Sequence, residues 1–356
     1  MTTAARPADG TLLEVRDLVK HFSLRRGLFG SPAVVHALDG VSLTVAPGEL
    51  VAIVGESGSG KTTLARCVLG LTSPTAGSIL LHGEDVTAFR GRRLRDFRRR
   101  VQPVFQDPHA SLDPRWSIAR TVREPLDAYR IGSPAEREAR VLALLDRVGL
   151  SARMAPRRPH ELSGGQRQRV GIAAALALDP ELIVADEPVS ALDASVQAQI
   201  LNLLSELQRD LGIAILLITH NLAVVEHVCD RAVVLYLGRI AEEGPIEDLF
   251  GDPEHPYTQG LMAAIPYPDP SRKLTVAPVR GEIPSPIDPP SGCRFHTRCP
   301  VAIDVCRVEQ PPLTAFGPTH RAACHVAAAA QVAGTTPPRP TAASGPAGAI
   351  PVTSRP

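Results

Sequence analysis

The stretch Leu50-Val-Ala-Ile-Val-Gly55-Glu-Ser-Gly-Ser-Gly60-Lys61-Thr62 decides how the rest of the chain is read. Leu50 to Val54 is continuously apolar, the pattern of a strand buried on both faces of a parallel sheet. A turn signal, Pro47-Gly48, precedes it. A glycine-rich loop follows, and a helix is expected from Lys61 to about Leu71. The glycines let the backbone curl so that successive N–H groups line an anion nest. The helix start adds positive potential at the same point. In such a phosphate loop Lys61 reaches the β- and γ-phosphates, and the Thr62 hydroxyl ligates Mg²⁺. Gly55, Glu56, Ser57, Gly58, Ser59, Gly60, Lys61, Thr62 and Thr63 are therefore the expected ATP-binding set. A plain glycine turn with an exposed Lys is the alternative, and the flanking strand and helix argue against it.

Working outward, Leu182-Ile-Val-Ala-Asp186-Glu187 is a second buried strand ending in two carboxylates. Ligands of α/β sheets bind at the C-terminal ends of their strands. Asp186 is expected in the Mg²⁺ shell and Glu187 as the general base on the attacking water. Leu162-Ser163-Gly164-Gly165-Gln166 opens a helix over Arg167 to Leu178. Ser163 is a natural N-cap, and the two glycines leave N–H groups open, which makes a second anion site. One phosphate loop needs no second anion site in its own chain. The economical reading is that Ser163, Gly164, Gly165 and Gln166 meet the γ-phosphate held by a partner subunit. Gln106, between the first core half and a helical segment, can ligate Mg²⁺ and sense the γ-phosphate. Ser190-Ala-Leu-Asp193 follows the two carboxylates directly. His220 ends the apolar strand Ile213 to Thr219, where an imidazole can hydrogen-bond a γ-phosphate.

The order of patterns gives the organisation. Leu12 to Val15 and Val41 to Val45 alternate as short strands. From about residue 90 to 165 basic and helical patterns dominate, including Arg90 to Arg100 and Glu136 to Val148, and this reads as a helical insertion. Val196 to Leu211 is an amphipathic helix with Ile200, Leu203, Leu204, Leu207 and Leu211 on one stripe. Strand and helix alternate from Gly164, which means a doubly wound sheet. Residues 251 to 326 are rich in Pro, Gly and Cys, and residues 327 to 356 read as disordered. No internal repeat is found.

Length and composition bound the rest. At 356 residues the chain fits one large domain plus an appendage, and 44% hydrophobic residues supply its core. A net charge of +1 gives no field that favours nucleic acid. No apolar run reaches the roughly 18 residues of a membrane helix, and no signal peptide is read at the N-terminus. The expected place is the cytoplasmic face of the cell membrane, peripheral, through docking to other subunits. The basic run Arg90 to Arg100 reads as a solvated helical face, with contact to lipid headgroups or a permease as the alternative. Cys67 and Cys229 read as core residues. Cys293, Cys299, Cys306 and Cys324 cluster, which in a cytosolic chain favours metal over disulfides. Four thiolates suit either a tetrahedral Zn²⁺ or a [4Fe–4S] cluster, with unmetallated thiols as a third state. The paired knuckles usual for zinc are absent, and the wide spacing suits the cluster better.

Taken in order, the phosphate loop, Gln106, Leu162 to Gln166, Asp186-Glu187, Ser190 to Asp193 and His220 resemble the ABC ATPase family over residues 11 to about 250. The resemblance implies a P-loop NTPase (RecA-like) α/β core with a helical signature subdomain, at about 90 to 165. It also implies a head-to-tail dimer with two ATPs sandwiched between phosphate loop and signature turn. Phe22 stands at the position of the family's adenine-stacking aromatic, and Asp193 joins the ATP-binding set. Phe105 to Arg115, Pro188 to Asp193, His255-Pro-Tyr-Thr258, Gly281 to Pro286 and the Cys cluster narrow the likeness to oligopeptide/dipeptide importer ATPases. The chain is most like the second ATPase of such importers, and the match then runs from 11 to 326. Asn221 departs from the family's usual Asp and leaves His220 intact. The narrower resemblance implies a small Cys-containing C-terminal extension with an iron–sulfur cluster. Its implied partners are a second ATPase subunit in a heterodimer, two transmembrane permease subunits and an extracytoplasmic substrate-binding protein, with no nucleic acid. Peptides are the expected cargo, with nickel or another small solute as the alternative. A soluble ABC ATPase working on DNA or ribosomes would carry coiled-coil insertions or a basic excess, and neither is present.

Overall fold

A computed structural model describes residues 10–24, 33–106, 112–265, 279 and 281–337. Residues 107–111 of the Phe105 to Arg115 stretch and the tail beyond 337 lie outside the described residues. Two sheets organise the chain. β1 (Leu13–Leu24) and β2 (Ala33–Val45) pair antiparallel, and β1 also pairs with β4 (Ala76–Leu81), which carries the short β5 (Glu84–Asp85). The larger sheet holds β3 (Leu50–Val54), β6 (Val101–Val104), β7 (Leu182–Asp186), β8 (Ala214–Ile218), β9 (Arg231–Tyr236) and β10 (Arg239–Pro245). Its edge is extended by β11 (Thr314–Ala315) and β12 (Arg321–Ala322), giving the order β11-β12-β10-β9-β3-β8-β7-β6. The strands from β9 to β6 are parallel, as expected from their apolar runs.

All five residues of β3 are buried, and they divide between clusters. Val51 and Ile53 pack with Leu13, Val15, Leu64 and Val68 beneath the antiparallel sheet. Ala52 and Val54 pack with Tyr236, Ile246, Tyr257 and Phe295. Leu50 joins a third cluster, where Ile183, Ile215 and Leu217 meet Ile118, Val122, Leu145 and Val170 of the helical region. Helix starts follow their capping residues. Ser117 caps the helix Ile118–Tyr129, and Ser133 with Glu136 forms a capping box on Pro134–Arg147. Asp193 caps Ala194–Leu211. The helix after the phosphate loop ends at Val68, earlier than expected, because Gly70 turns left-handed at φ +62°.

Two boundaries differ from expectation. The helical subdomain does not begin near residue 90. The basic helix Gly91–Arg100 buries Phe97 in the cluster beneath the antiparallel sheet and runs straight into β6, which pairs with β7. The insertion therefore starts after Gln106, with Ile118–Tyr129 and Pro134–Arg147 packed on Gly164–Leu176. The tail is not disordered from 327. Residues His325–Ala333 form a helix, capped by Cys324 and ended by Gly334 in the left-handed region, with Ala327 and Ala330 buried.

The extension is built into the core. β12 pairs with β10, and the fully buried Glu242 of β10 gathers three donors: the N–H of Glu254 (2.7 Å), the N–H of His255 (3.0 Å) and Nε2 of His320 (2.8 Å). Burial pulls the His320 imidazole down, but the hydrogen bond and charge of Glu242 outweigh it and hold His320 above its ordinary pKa. No helix among the described residues is long and apolar enough to cross a membrane.

Candidate active site

The phosphate loop closes as its glycines require. Gly55 sits at φ +147°, and a Cβ there would lie 2.2 Å from the carbonyl oxygen of Leu235. At Gly60, φ +109°, a Cβ would lie 2.5 Å from the Ala37 oxygen. Only a residue without a side chain fits either place. Ser57 and Gly58 stand exposed at the rim, Gly55 and Ser59 are buried, and Thr62 and Thr63 are half-buried in the first turn of Lys61–Val68. Lys61 is 5% exposed, and Nζ donates to the carbonyls of Gly55 (2.7 Å) and Glu56 (2.9 Å). Burial lowers its pKa, against the pull of Glu187, Asp186 and Glu56. The ammonium thus rests on carbonyls that a phosphate oxygen can replace.

Thr62 Oγ1 donates to Asp186 Oδ1 at 3.3 Å. Burial, with Glu187 adding, raises the Asp186 pKa. A carboxylate made uncomfortable by burial beside a hydroxyl suits a hard dication. The Thr62 hydroxyl and the Asp186 carboxylate are hard oxygen donors of the kind that would hold Mg²⁺.

Gln106, Glu187 and His220 come from the ends of β6, β7 and β8 and meet. Gln106 Nε2 donates to Glu187 Oε2 at 3.0 Å, and His220 Nδ1 lies 3.2 Å from Glu187 Oε1. Glu187 itself has φ +47°, uncommon for a residue with a side chain, while its N–H donates to the Ile218 oxygen at 2.9 Å. Such a conformation costs about 1–3 kcal/mol and persists where the surroundings enforce it. Gly55, Glu56, Ser57, Lys61, Glu187 and His220 line one cavity of about 450 Å³, together with Leu222 and Leu261.

The Ser163 turn is separate from that cavity, whose lining residues among those described do not include it. Ser163 is exposed. Its Oγ accepts from the N–H of Gln166 (3.3 Å), and its own N–H donates to Gln166 Oε1 (3.0 Å). Close packing explains both glycines. A Cβ on Gly164 would lie 2.9 Å from Leu192, and one on Gly165 2.4 Å from Val196. The Ser190 to Asp193 segment therefore supports the turn directly. Phe22 is 40% exposed on β1, with Lys20 Nζ 4.8 Å from its ring centre.

Sequence reasoning missed two groups at the loop. Tyr257 Oη accepts from the N–H of Glu56 (2.8 Å), and Arg298 makes a two-pronged ion pair with the Glu56 carboxylate (2.6 and 3.0 Å). Tyr257 lies in the quoted His255 to Thr258 stretch, and Arg298 precedes Cys299. Nothing local signals that either touches residue 56.

The four late cysteines share one neighbourhood. Burial pushes the Cys293 thiol to about 11 and Cys299 to about 12, and each also feels the other cysteines. The N–H of Cys293 donates to the Cys306 oxygen (2.9 Å), and that of Ala327 to Cys324 Sγ (3.4 Å). Yet among the described residues no three sulfurs lie within 4.8 Å of one another. His21, His36 and Asp39 do group that tightly, but Arg239 and Arg294 both grip Asp39, and their charge opposes a cation there.

Two family models match the chain: ABC transporter over residues 38–190, and oligopeptide/dipeptide transporter, C-terminal region, over 241–306. A probable peptide ABC transporter ATP-binding protein of Sinorhizobium fredii, y4tS, is 52% identical over 92% of this chain and 93% of its own length. The oligopeptide transport ATP-binding protein AppF of Bacillus subtilis is 47% identical over 89% and 97%. Among solved structures, the dimeric ATP-binding cassette MJ0796 bound to ADP and Pi superposes with a TM-score of 0.59 at 32% identity. It covers 66% of this chain and 99% of the cassette.

Proposed function

Because this chain belongs to the ABC transporter family of ATP-binding subunits, we propose that it binds and hydrolyses ATP to power peptide import through membrane permeases. The observation that carries the catalytic reading is the meeting of Gln106 and His220 on the two oxygens of Glu187, which with His220 and Lys61 lines the cavity.

Each residue then has a task. The loop Gly55 to Gly60 wraps the phosphates with N–H groups, Lys61 leaves its carbonyls for the β- and γ-phosphates, and Phe22 stacks the adenine. Bound Mg²⁺ would be held by Thr62, Asp186 and Gln106 and would offset charge on the phosphate oxygens. Glu187 takes a proton from water as that water attacks the γ-phosphorus and the bond to the β-phosphate oxygen breaks. Gln106 and His220 keep the carboxylate aimed. Ser163, Gly164, Gly165, Gln166 and Asp193 face the nucleotide of a second ATPase subunit, so closure of the pair requires ATP. The helical subdomain, joined to the core at Gln106, passes that closure to two permeases at the cytoplasmic face. An extracytoplasmic binding protein presents the cargo.

The test is ATP-driven uptake of labelled di- and oligopeptides by the reconstituted transporter, with this chain intact or carrying Lys61→Ala. Uptake that requires an intact Lys61 is expected. Import of nickel in place of peptide would overturn the cargo and leave the ATPase reading standing, whereas peptide uptake indifferent to Lys61 would overturn the ATPase reading.

For Cys293, Cys299, Cys306 and Cys324 we propose a [4Fe–4S] cluster as a structural staple. Sulfurs around zinc stand about 3.8 Å apart, given its usual bond length, and these stand wider as a set. The N–H of Ala327 donated to Cys324 Sγ suits metal-bound thiolate. Iron and acid-labile sulfide in equal amounts are expected in anaerobically purified protein and absent from Cys299→Ser. Zinc without sulfide, or no metal, would refute the cluster.

A further inference from the structure

The second residue of the phosphate loop is gripped at every polar group it has. The Glu56 N–H donates to Tyr257 Oη (2.8 Å), and its carbonyl accepts from Lys61 Nζ (2.9 Å). Its carboxylate receives both arms of Arg298, Nη1 to Oε2 at 2.6 Å and Nη2 to Oε1 at 3.0 Å. Two of these three partners come from the C-terminal extension. Tyr257 is fully buried in the helix Pro256–Ala263 and packs on Tyr236 and Phe295. The Arg298 side chain is 4% exposed, and Nη1 also reaches Tyr236 Oη at 3.3 Å.

The charge arrangement is the telling part. Glu56 lines the same cavity as Lys61 and Ser57, where a triphosphate carrying several negative charges is received. A bare carboxylate at that wall repels the ligand, and the repulsion is strong where water is scarce. Arg298 cancels it from behind, with the fork geometry in which guanidinium binds carboxylate best. Its own loop is fixed in turn. Neighbouring Arg294 grips Asp39 and the carbonyl of Leu237, and the Cys293 N–H is tied to the Cys306 carbonyl.

We propose that Arg298, with Tyr257, is a positioning residue of the nucleotide site: the C-terminal extension masks the Glu56 charge and holds the phosphate loop in its receiving shape before ATP arrives. The inference rests on the ATPase reading above. The extension is then part of the nucleotide site, and the order of the cysteine loop and the affinity for ATP are coupled in both directions.

Titration of the full-length chain with a fluorescent ATP analogue tests this in two backgrounds. With Glu56 present, Arg298→Met is expected to raise Kd about tenfold, the scale of a lost hydrogen bond to a charged group. In steady state KM should rise while kcat holds, because Glu187 is untouched. With Glu56→Gln, the same Arg298→Met change should move Kd by less than about twofold, since no charge is left to unmask. An equal rise in both backgrounds would make Arg298 a mere structural prop and overturn the proposal, as would no rise in either. Should Arg298→Met fail to fold, Arg298→Lys keeps the charge without the fork. It should raise Kd by roughly twofold to threefold with Glu56 and not with Gln at 56; equality between backgrounds again refutes. Wild-type chain that bound no nucleotide would instead refute the ATPase reading itself.

Discussion

Glu187→Gln protein is expected to bind ATP with an affinity close to wild type and to lose turnover, with kcat falling about a thousandfold. The carboxylate oxygens are held from two sides, by Gln106 Nε2 at 3.0 Å and His220 Nδ1 at 3.2 Å. An amide of the same size can keep one of these contacts and fill the same space. It cannot take the proton from the attacking water, and a positioned base contributes about 10²- to 10⁴-fold. The backbone at φ +47° aims the side chain, and Gln tolerates that conformation no better or worse than Glu. Binding should survive because the loop and Lys61 are unaltered. Phosphate release in single turnover, set beside nucleotide titration, separates the two effects. Hydrolysis at the wild-type rate would remove Glu187 from its role.

The second large effect concerns Ser163. In the Ser163→Arg chain nucleotide binding should stay within about twofold of wild type, while hydrolysis by the assembled ATPase pair falls at least a hundredfold, the scale of losing a transition-state donor. Ser163 is exposed and lies outside the cavity lined by Lys61, so a long side chain fits on the lone subunit. The missing N-cap on Gly164–Leu176 should cost about 1 kcal/mol of stability, too little to unfold a chain of this size. In the closed pair proposed above, the arginine would occupy the place of a hydroxyl and two N–H groups at the partner's γ-phosphate. Light scattering with ATP, in the Glu187→Gln background that arrests turnover, should find the closed pair with Ser163 and separate subunits with Arg. A closed pair in both cases would mean that the turn at Ser163 does not cap a neighbour's nucleotide.

The shape of the phosphate loop was legible in the sequence because it is local. A strand, a glycine loop and a helix start place Lys61 and Thr62 within a dozen residues, and no distant contact is needed to recognise them. The Gln106, Glu187 and His220 group was also within reach, since parallel strands deliver their ends to one edge. Region 90–104 was misread for a physical reason. Its strong basic helical pattern hides the single buried anchor Phe97, and a four-residue strand containing Pro103 scarcely resembles one. Pro103 is tolerated because β6 is the last strand of its sheet. The helix His325–Ala333 was missed because its alanines read as low complexity, whereas Cys324 caps it and Ala327 and Ala330 bury it. Arg298 and Glu56 lie 242 positions apart, and their pairing is set by how the extension folds back.

The way the large sheet ends bears on solubility. At one margin stands β6, whose proline withholds a donor; at the other stands β11, only two residues long. Neither offers a long, flat ladder to a passing strand, so the two margins of this sheet give other chains little to template on. Cutting the chain before Thr314 would strip β11 and β12 away and bare the rim of β10 from Glu242 onward. Shortened versions also lose His320, the partner of the buried Glu242, and should clump during expression.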